Sequence, residues 1–217
     1  MNSRGAVLAV GLVLCVGGAA HADRGALAVD VGAGVALINV RAPYAMGAPS
    51  QIGSSWTTSL GLRYAVTNML EVGAAVFYQP PTSFTHGNAS VEVPAAGGAL
   101  PGTLSERTQQ LGFLLRARVV KGYAWRVFAA ADVGWAQRFF SKVDHFNVSD
   151  PSTGPRSYGL ALGDTSQSAL LVAPSAGVEW TGDRFSLGIA PRVDVLLGTV
   201  RTWAVSFPLS ISWTWYL

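Results

Sequence analysis

The stretch Ser55–Val66, SWTTSLGLRYAV, decides the fold. Trp56, Thr58, Leu60, Leu62, Tyr64 and Val66 fall on one parity; Ser55, Thr57, Ser59, Gly61, Arg63 and Ala65 fall on the other. A period of two marks a β-strand with one apolar face, because successive side chains point to opposite sides of a sheet. A tight Thr67-Asn68-Met69 turn then leads into Leu70, Val72, Ala74, Val76 and Tyr78, which continue the pattern. Across that turn Arg63 and Glu71 are diagonal neighbours on the polar face, within reach of each other.

The same alternation recurs on both sides of this hairpin. Before it stand Leu27, Val29, Val31, Ala33, Val35 and Leu37. After it come Leu111, Phe113, Leu115, Ala117 and Val119, a turn at Lys121-Gly122, then Trp125, Val127, Ala129, Ala131, Val133 and Trp135. A sixth strand carries Leu170, Val172, Pro174, Ala176, Val178 and Trp180, and turns at Gly182-Asp183. The seventh carries Phe185, Leu187, Ile189, Pro191, Val193, Val195 and Leu197; the last carries Val205, Phe207, Leu209, Ile211, Trp213, Trp215 and Leu217. Connections after strands two, four and six are tight. Those around residues 41–52, 80–105 and 138–167 are long and rich in Pro, Gly, Ser and Asn; Gly198–Arg201 is short. Short turns at one rim and long loops at the other describe an all-β, eight-stranded antiparallel up-and-down transmembrane β-barrel, with both termini at the short-turn, periplasmic rim.

Composition agrees with an inside-out protein. Half of the 217 residues are hydrophobic and only 12% are charged, yet beyond the N-terminus no run approaches the 18 or so apolar residues of a membrane helix. At the N-terminus, Arg4 precedes the apolar stretch Gly5–Ala20, and Ala20-His21-Ala22 fits a signal peptidase site. Residues 1–22 are therefore expected to be a cleaved signal peptide and 23–217 the barrel domain. Cys15 leaves with the signal, which removes disulfides, thiolate metal sites and a cysteine nucleophile. The mature net charge of +2 gives no reason to invoke nucleic acid.

A soluble lipid-binding barrel also alternates, but with its apolar face inside. The polar parity separates the two cases. A water-exposed face would be rich in Lys and Glu; here it is Gly, Ala and Ser with Asp30, Arg63, Glu71, Arg116, Arg118, Arg126, Asp132, Glu179, Arg192 and Asp194 spaced along it. Every cation is Arg, and both lysines, Lys121 and Lys142, fall in connections. Balanced Arg and carboxylate suit a cramped interior, where guanidinium and carboxylate pair bidentately. This set is expected to be a structural ion-pair network. Trp56, Trp125, Trp135, Trp180, Trp203, Trp213 and Trp215 all fall on the apolar parity, mostly near strand ends, as an aromatic girdle at each bilayer interface requires.

The signal peptide, eight alternating strands and final strand resemble the small OmpA/OmpX-like outer-membrane β-barrel superfamily of Gram-negative bacteria. The resemblance covers the whole mature chain and rests on pattern. It implies an integral outer-membrane protein, exported through the periplasm and surrounded by outer-membrane lipid and lipopolysaccharide. It also implies recognition of the C-terminal strand by the barrel-assembly machinery, although this strand ends in Leu217 where the family typically has an aromatic residue. No further domain is expected after the barrel.

Chemistry is sparse. Asp144, His145 and Ser149 look like acid, base and nucleophile, but a flexible loop would not hold them within the roughly 3 Å that proton transfer needs. Gly32-Ala33-Gly34 lies within a strand and cradles no phosphate. No catalytic, cofactor or metal residues are expected. The reading is a non-enzymatic outer-membrane barrel whose long loops face outward and bind a partner or surface. Pro174 and Pro191, two mid-strand prolines placed almost opposite each other, are expected to mark a paired bulge or kink. The alternative function is a narrow conduit for small molecules, with an interior gap or a lateral opening at that seam. A lipid-modifying enzyme is a third reading, and no strand supplies the histidine it needs.

Overall fold

The computed structural model describes residues 24–41, 43, 50–93, 97–141, 143–150, 154–162, 165–198 and 202–216. Every alternating stretch forms a strand, because only a strand puts one parity on one face and its ladder groups beside a neighbour. In chain order these are β1 (Ala26–Val40), β2 (Gln51–Ala65), β3 (Leu70–Val93), β4 (Gly98–Gly122), β5 (Trp125–Phe140), β6 (Val143–Asp150), β7 (Gly154–Leu162), β8 (Thr165–Thr181), β9 (Phe185–Ile189), β10 (Arg192–Leu197) and β11 (Thr202–Tyr216). β9 and β10 are two halves of one stave, so the wall runs β1–β2–β3–β4–β5–β8–β9/β10–β11. It closes where β11 pairs antiparallel with β1, from Ala26↔Tyr216 to Ile38↔Ala204. The result is the eight-staved up-and-down barrel that the alternation predicts.

Short turns are built by local chemistry. Thr67 Oγ1 accepts from the Met69 and Leu70 amides at 3.2 and 3.0 Å, tying the β2–β3 turn. Gly122 takes φ of +125°, a conformation that side chains resist, where β4 turns into β5. Gly182 N–H donates to Phe185 O at 2.8 Å between β8 and β9.

The apolar parity faces out. Val35 and Leu115 are each 61% exposed, and all seven tryptophans are between 40% and 69% exposed. A continuous belt of such side chains is unfavourable against water at about 25 cal/mol per Å² and belongs against hydrocarbon. Trp125 and Trp135 lie ten residues apart on β5. At the usual strand rise and tilt that separation spans about 25 Å, the height of a barrel's lipid-facing band.

Sequence expectations change here at four places. Residues 80–105 are not a loop, because β3 continues to Val93 and β4 begins at Gly98. The alternation was hidden by two β-bulges, at Gln79/Thr82 and His86/Ala89, each of which shifts the inward parity of β3 by one residue. Pro80-Pro81 and Gly87-Asn88 sit at those shifts, so residues with loop composition interrupt a strand without ending it. Residues 138–167 likewise contain the end of β5, the start of β8 and a β6–β7 hairpin, which meets β4 at Thr103↔Asn147 and Leu104↔Phe146. Lastly, the seventh stave is not continuous but breaks between Ile189 and Arg192. The expected signal peptide and its cleavage site lie outside the described residues, as does Lys142; Lys121 lies at the end of β4 rather than in a connection.

Candidate functional site in the barrel interior and at the long-loop end

Inside the short-turn half of the barrel, the ten charged residues singled out from the sequence form one connected chain of ion pairs. Arg192 reaches Asp194 through Nε at 2.6 Å and Asp132 through Nη1 at 3.3 Å. Asp132, fully buried, also takes a bidentate pair of hydrogen bonds from Arg116, at 2.7 and 2.8 Å. Arg116 lies 4.0 Å from Asp30, which in turn is 2.6 Å from Arg63 Nε. Arg63 donates to Glu71 at 2.7 Å and to the Ser212 hydroxyl at 2.8 Å. Glu71 and Glu179 share Arg118, at 3.2 and 2.7 Å, and Arg126 closes the chain 3.9 Å from Glu179. The arrangement follows from the pleat: each of these residues has inward parity, and the registers of β1–β5, β8, β10 and β11 bring opposite charges side by side.

Sequence reading missed three interior groups. Arg138, on the inward parity of β5, donates to Gln110 Oε1 at 2.8 Å and to Thr202 Oγ1 at 3.1 Å. His86 and Glu106 form a fully buried pair, Nε2 to Oε1 at 2.9 Å. His86 is therefore not a loop residue; the bulge before it turns it inward. Extending the inward parity of β5 beyond Trp135 would have found Arg138. No simple periodicity could have found His86. Among the described residues the interior then holds six arginines and six carboxylates, balanced when His86 is neutral.

Above the network the filling changes character. Phe77, Leu114, Ala136, Ala169, Leu171 and Leu196 form a dry layer across the barrel. Arg192 stacks beneath it, 5.5 Å from the Phe77 ring centre. A second apolar layer, Ala36, Ile38, Val40, Phe84, Phe140 and Ala204, lies nearer the long-loop rim. Beyond that rim β3–β4 and β6–β7 pack around their own core of Ala89, Val91, Val93, Leu104, Phe146 and Val148. Below the dry layers a cavity of about 70 Å³ remains, lined by Arg63, Arg116, Arg118 and Arg192 but by only one carboxylate, Asp30. A smaller one of about 30 Å³ continues toward the short-turn rim beside Glu71, Arg126 and Glu179. Asp144, His145 and Ser149 belong to β6, not to a loop, and their side chains lie outside the described set.

No protein-family model matches this chain, and no curated protein matches it in sequence. Among solved structures, neisserial surface protein A (NspA) is similar over 88% of this chain and 99% of its own, with a TM-score of 0.53 and 10% identity. Ail, the attachment invasion locus protein of Yersinia pestis, is similar over 88% and 99% at TM-score 0.49 and 13% identity. The outer membrane protein OprG from Pseudomonas aeruginosa is similar over 91% and 99% at TM-score 0.48 and 14% identity. At these identities the likeness concerns the fold. The architecture shared with NspA is that of the small outer-membrane β-barrels of OmpA/OmpX-like type.

Proposed function

We propose that this protein is a non-enzymatic integral outer-membrane barrel, exported through the periplasm, whose long-loop end is its working surface. The supporting observation is the contrast along the barrel axis: two dry apolar layers fill the upper interior, while the hairpins beyond them have a hydrophobic core of their own. A barrel filled in this way is a rigid pedestal. The raised β3–β4 and β6–β7 hairpins give a partner, or another cell's surface, a preformed face to dock on. Lipid and lipopolysaccharide surround the tryptophan-bordered belt, and β11, which closes the ring, carries the assembly signal.

Two measurements test this reading. In planar bilayers the purified protein is expected to give no discrete conductance, and steady single-channel steps would replace the pedestal by the conduit. On intact cells an epitope inserted at residues 94–97, between β3 and β4, is expected to be reached by antibody. Labelling that appears only after the outer membrane is permeabilised would reverse the orientation.

A further inference from the structure

Three prolines stand side by side on adjacent staves: Pro174 on β8, Pro191 between β9 and β10, and Pro208 on β11. Ala176 N–H donates to Pro191 O, and Ala190 N–H to Pro208 O, each at 3.3 Å. In such antiparallel pairs the accepting residue normally donates back, and proline has no hydrogen to give. Pro174, two residues before Ala176, turns its nitrogen toward the same neighbour, where the register places Val193. The carbonyls of Ala176, Ala190 and Val193 therefore lose their ladder donors. Pairing is interrupted to match: β8–β10 skips Val193 and Asp194, and the β11 ladder skips Ala190 and Pro191.

Backbone carbonyls without donors are not tolerated against hydrocarbon, except where they line a water-filled cavity. The cavity of about 70 Å³ lies directly behind this seam, with Ser175, Ala190 and Pro208 in its wall. Four guanidiniums and Asp30 line it, each guanidinium already paired with a carboxylate of the network. Two buried donors there, Arg192 Nη2 and Arg118 Nε, have no hydrogen-bond partner, and Arg192 is only 8% exposed. The dry layer of Phe77, Leu114, Leu171 and Leu196 blocks the way upward. Outside, the seam is bordered by small side chains, Ala129, Ala131 and Ala176, so an alkyl chain can lie close to it.

We propose that this seam is a lateral portal through which the carboxylate head of a single-chain amphiphile enters the arginine-lined cavity while its alkyl tail stays in the bilayer. A carboxylate fits the small volume and can accept from Arg192 Nη2 and Arg118 Nε, the two guanidinium nitrogens that the network leaves unpaired. The proposal goes beyond the pedestal reading and is independent of what the long-loop hairpins bind.

The test uses the full-length mature protein in phosphatidylcholine nanodiscs, titrated with palmitate carrying carbon-13 in its carboxyl group and followed by NMR. A bound carboxyl resonance that saturates at one per chain is expected, with none for carboxyl-labelled methyl palmitate. Arg192→Gln is expected to weaken binding at least tenfold. The double variant Pro174→Val/Pro191→Val, which restores two ladder donors, is expected to slow exchange between bound and bilayer palmitate at least tenfold. Absence of a saturable bound signal overturns the proposal, as does equal behaviour of both variants and wild type, which would mean lipid on the outer wall. Displacement of palmitate by inorganic phosphate also overturns it, in favour of a simple anion site. Should Arg192→Gln fail to fold, the proline variant decides the matter by itself.

Discussion

The two halves of this barrel share one wall and one lipid-facing belt, yet they are filled by opposite means. The short-turn half is occupied by ten charges in one ion-pair chain around small cavities. The long-loop half is occupied by stacked apolar layers, with Arg138, His86 and Glu106 held among them. Outward parity is constrained by the bilayer along its whole height, whereas inward parity has only to fill space and satisfy its polar groups. An all-apolar interior would serve equally well for volume. The charged half therefore carries a different kind of risk, since each of its members is stable only while its partners remain.

That contrast can be broken most severely at Asp132, which holds Arg116 and Arg192 together. Asp132→Ala leaves two guanidiniums without their shared carboxylate and is expected to destabilise the barrel by about 4 kcal/mol, in the range for breaking a buried pair. Urea unfolding in detergent micelles, followed by tryptophan fluorescence, reads this directly; a loss under 1 kcal/mol would show the network to be ornamental. In the apolar half, Leu114→Ala removes a fully buried side chain and is expected to cost about 3 kcal/mol through the cavity it leaves. If water then fills that space and joins the chamber below, single-channel recordings should show conductance that the wild type lacks. An effect as small as that of an exposed residue would mean the layer is not tightly packed.

How much of this was legible in the sequence depended on which parity was being read. Outward residues such as Trp56, Leu115 and Trp215 announced themselves, because lipid demands apolar side chains at every second position. The ten charges of the lower half were legible for the same reason, being interruptions of a small-residue parity. The upper half was harder. Phe77 and Leu114 are apolar side chains on the inward parity, which makes Phe77 and Leu114 look like the local loss of a pattern rather than a layer. His86 and Glu106 lay beyond Pro80-Pro81, where the shifted register of β3 defeats any fixed period. The broken seventh stave was legible only as two misplaced prolines; Pro208, the third, belongs to the same seam but is masked by the strong alternation of its strand.

Two milder changes sharpen the comparison. His86→Leu strands Glu106 and is expected to cost about 2 kcal/mol, whereas His86→Leu/Glu106→Leu should regain most of that, because the neighbourhood is already apolar. A double-mutant cycle on urea midpoints checks this, and a double variant worse than either single would show the pair to be essential. Thr202→Val removes one acceptor from Arg138, with Gln110 still in place, and is expected to cost about 1 kcal/mol by the same unfolding measurement.

The two bulges of β3 behave like paired frameshifts. Deleting one residue at Pro80-Pro81 would shorten the three-residue step from Gln79 to Thr82 to the ordinary two and leave Phe84 to Val93 on the sides they now occupy. Deleting one residue in the regular stretch between Thr82 and His86 would instead throw the side chains beyond it onto the wrong side of the sheet, turning out the core of the raised hairpins while leaving the barrel below untouched. Deleting one residue at each bulge would give a strand of unbroken alternation in which Phe84, His86, Ala89, Val91 and Val93 all still face inward. The outer end of this protein is thus kept in phase with its membrane-spanning base by counting residues in pairs.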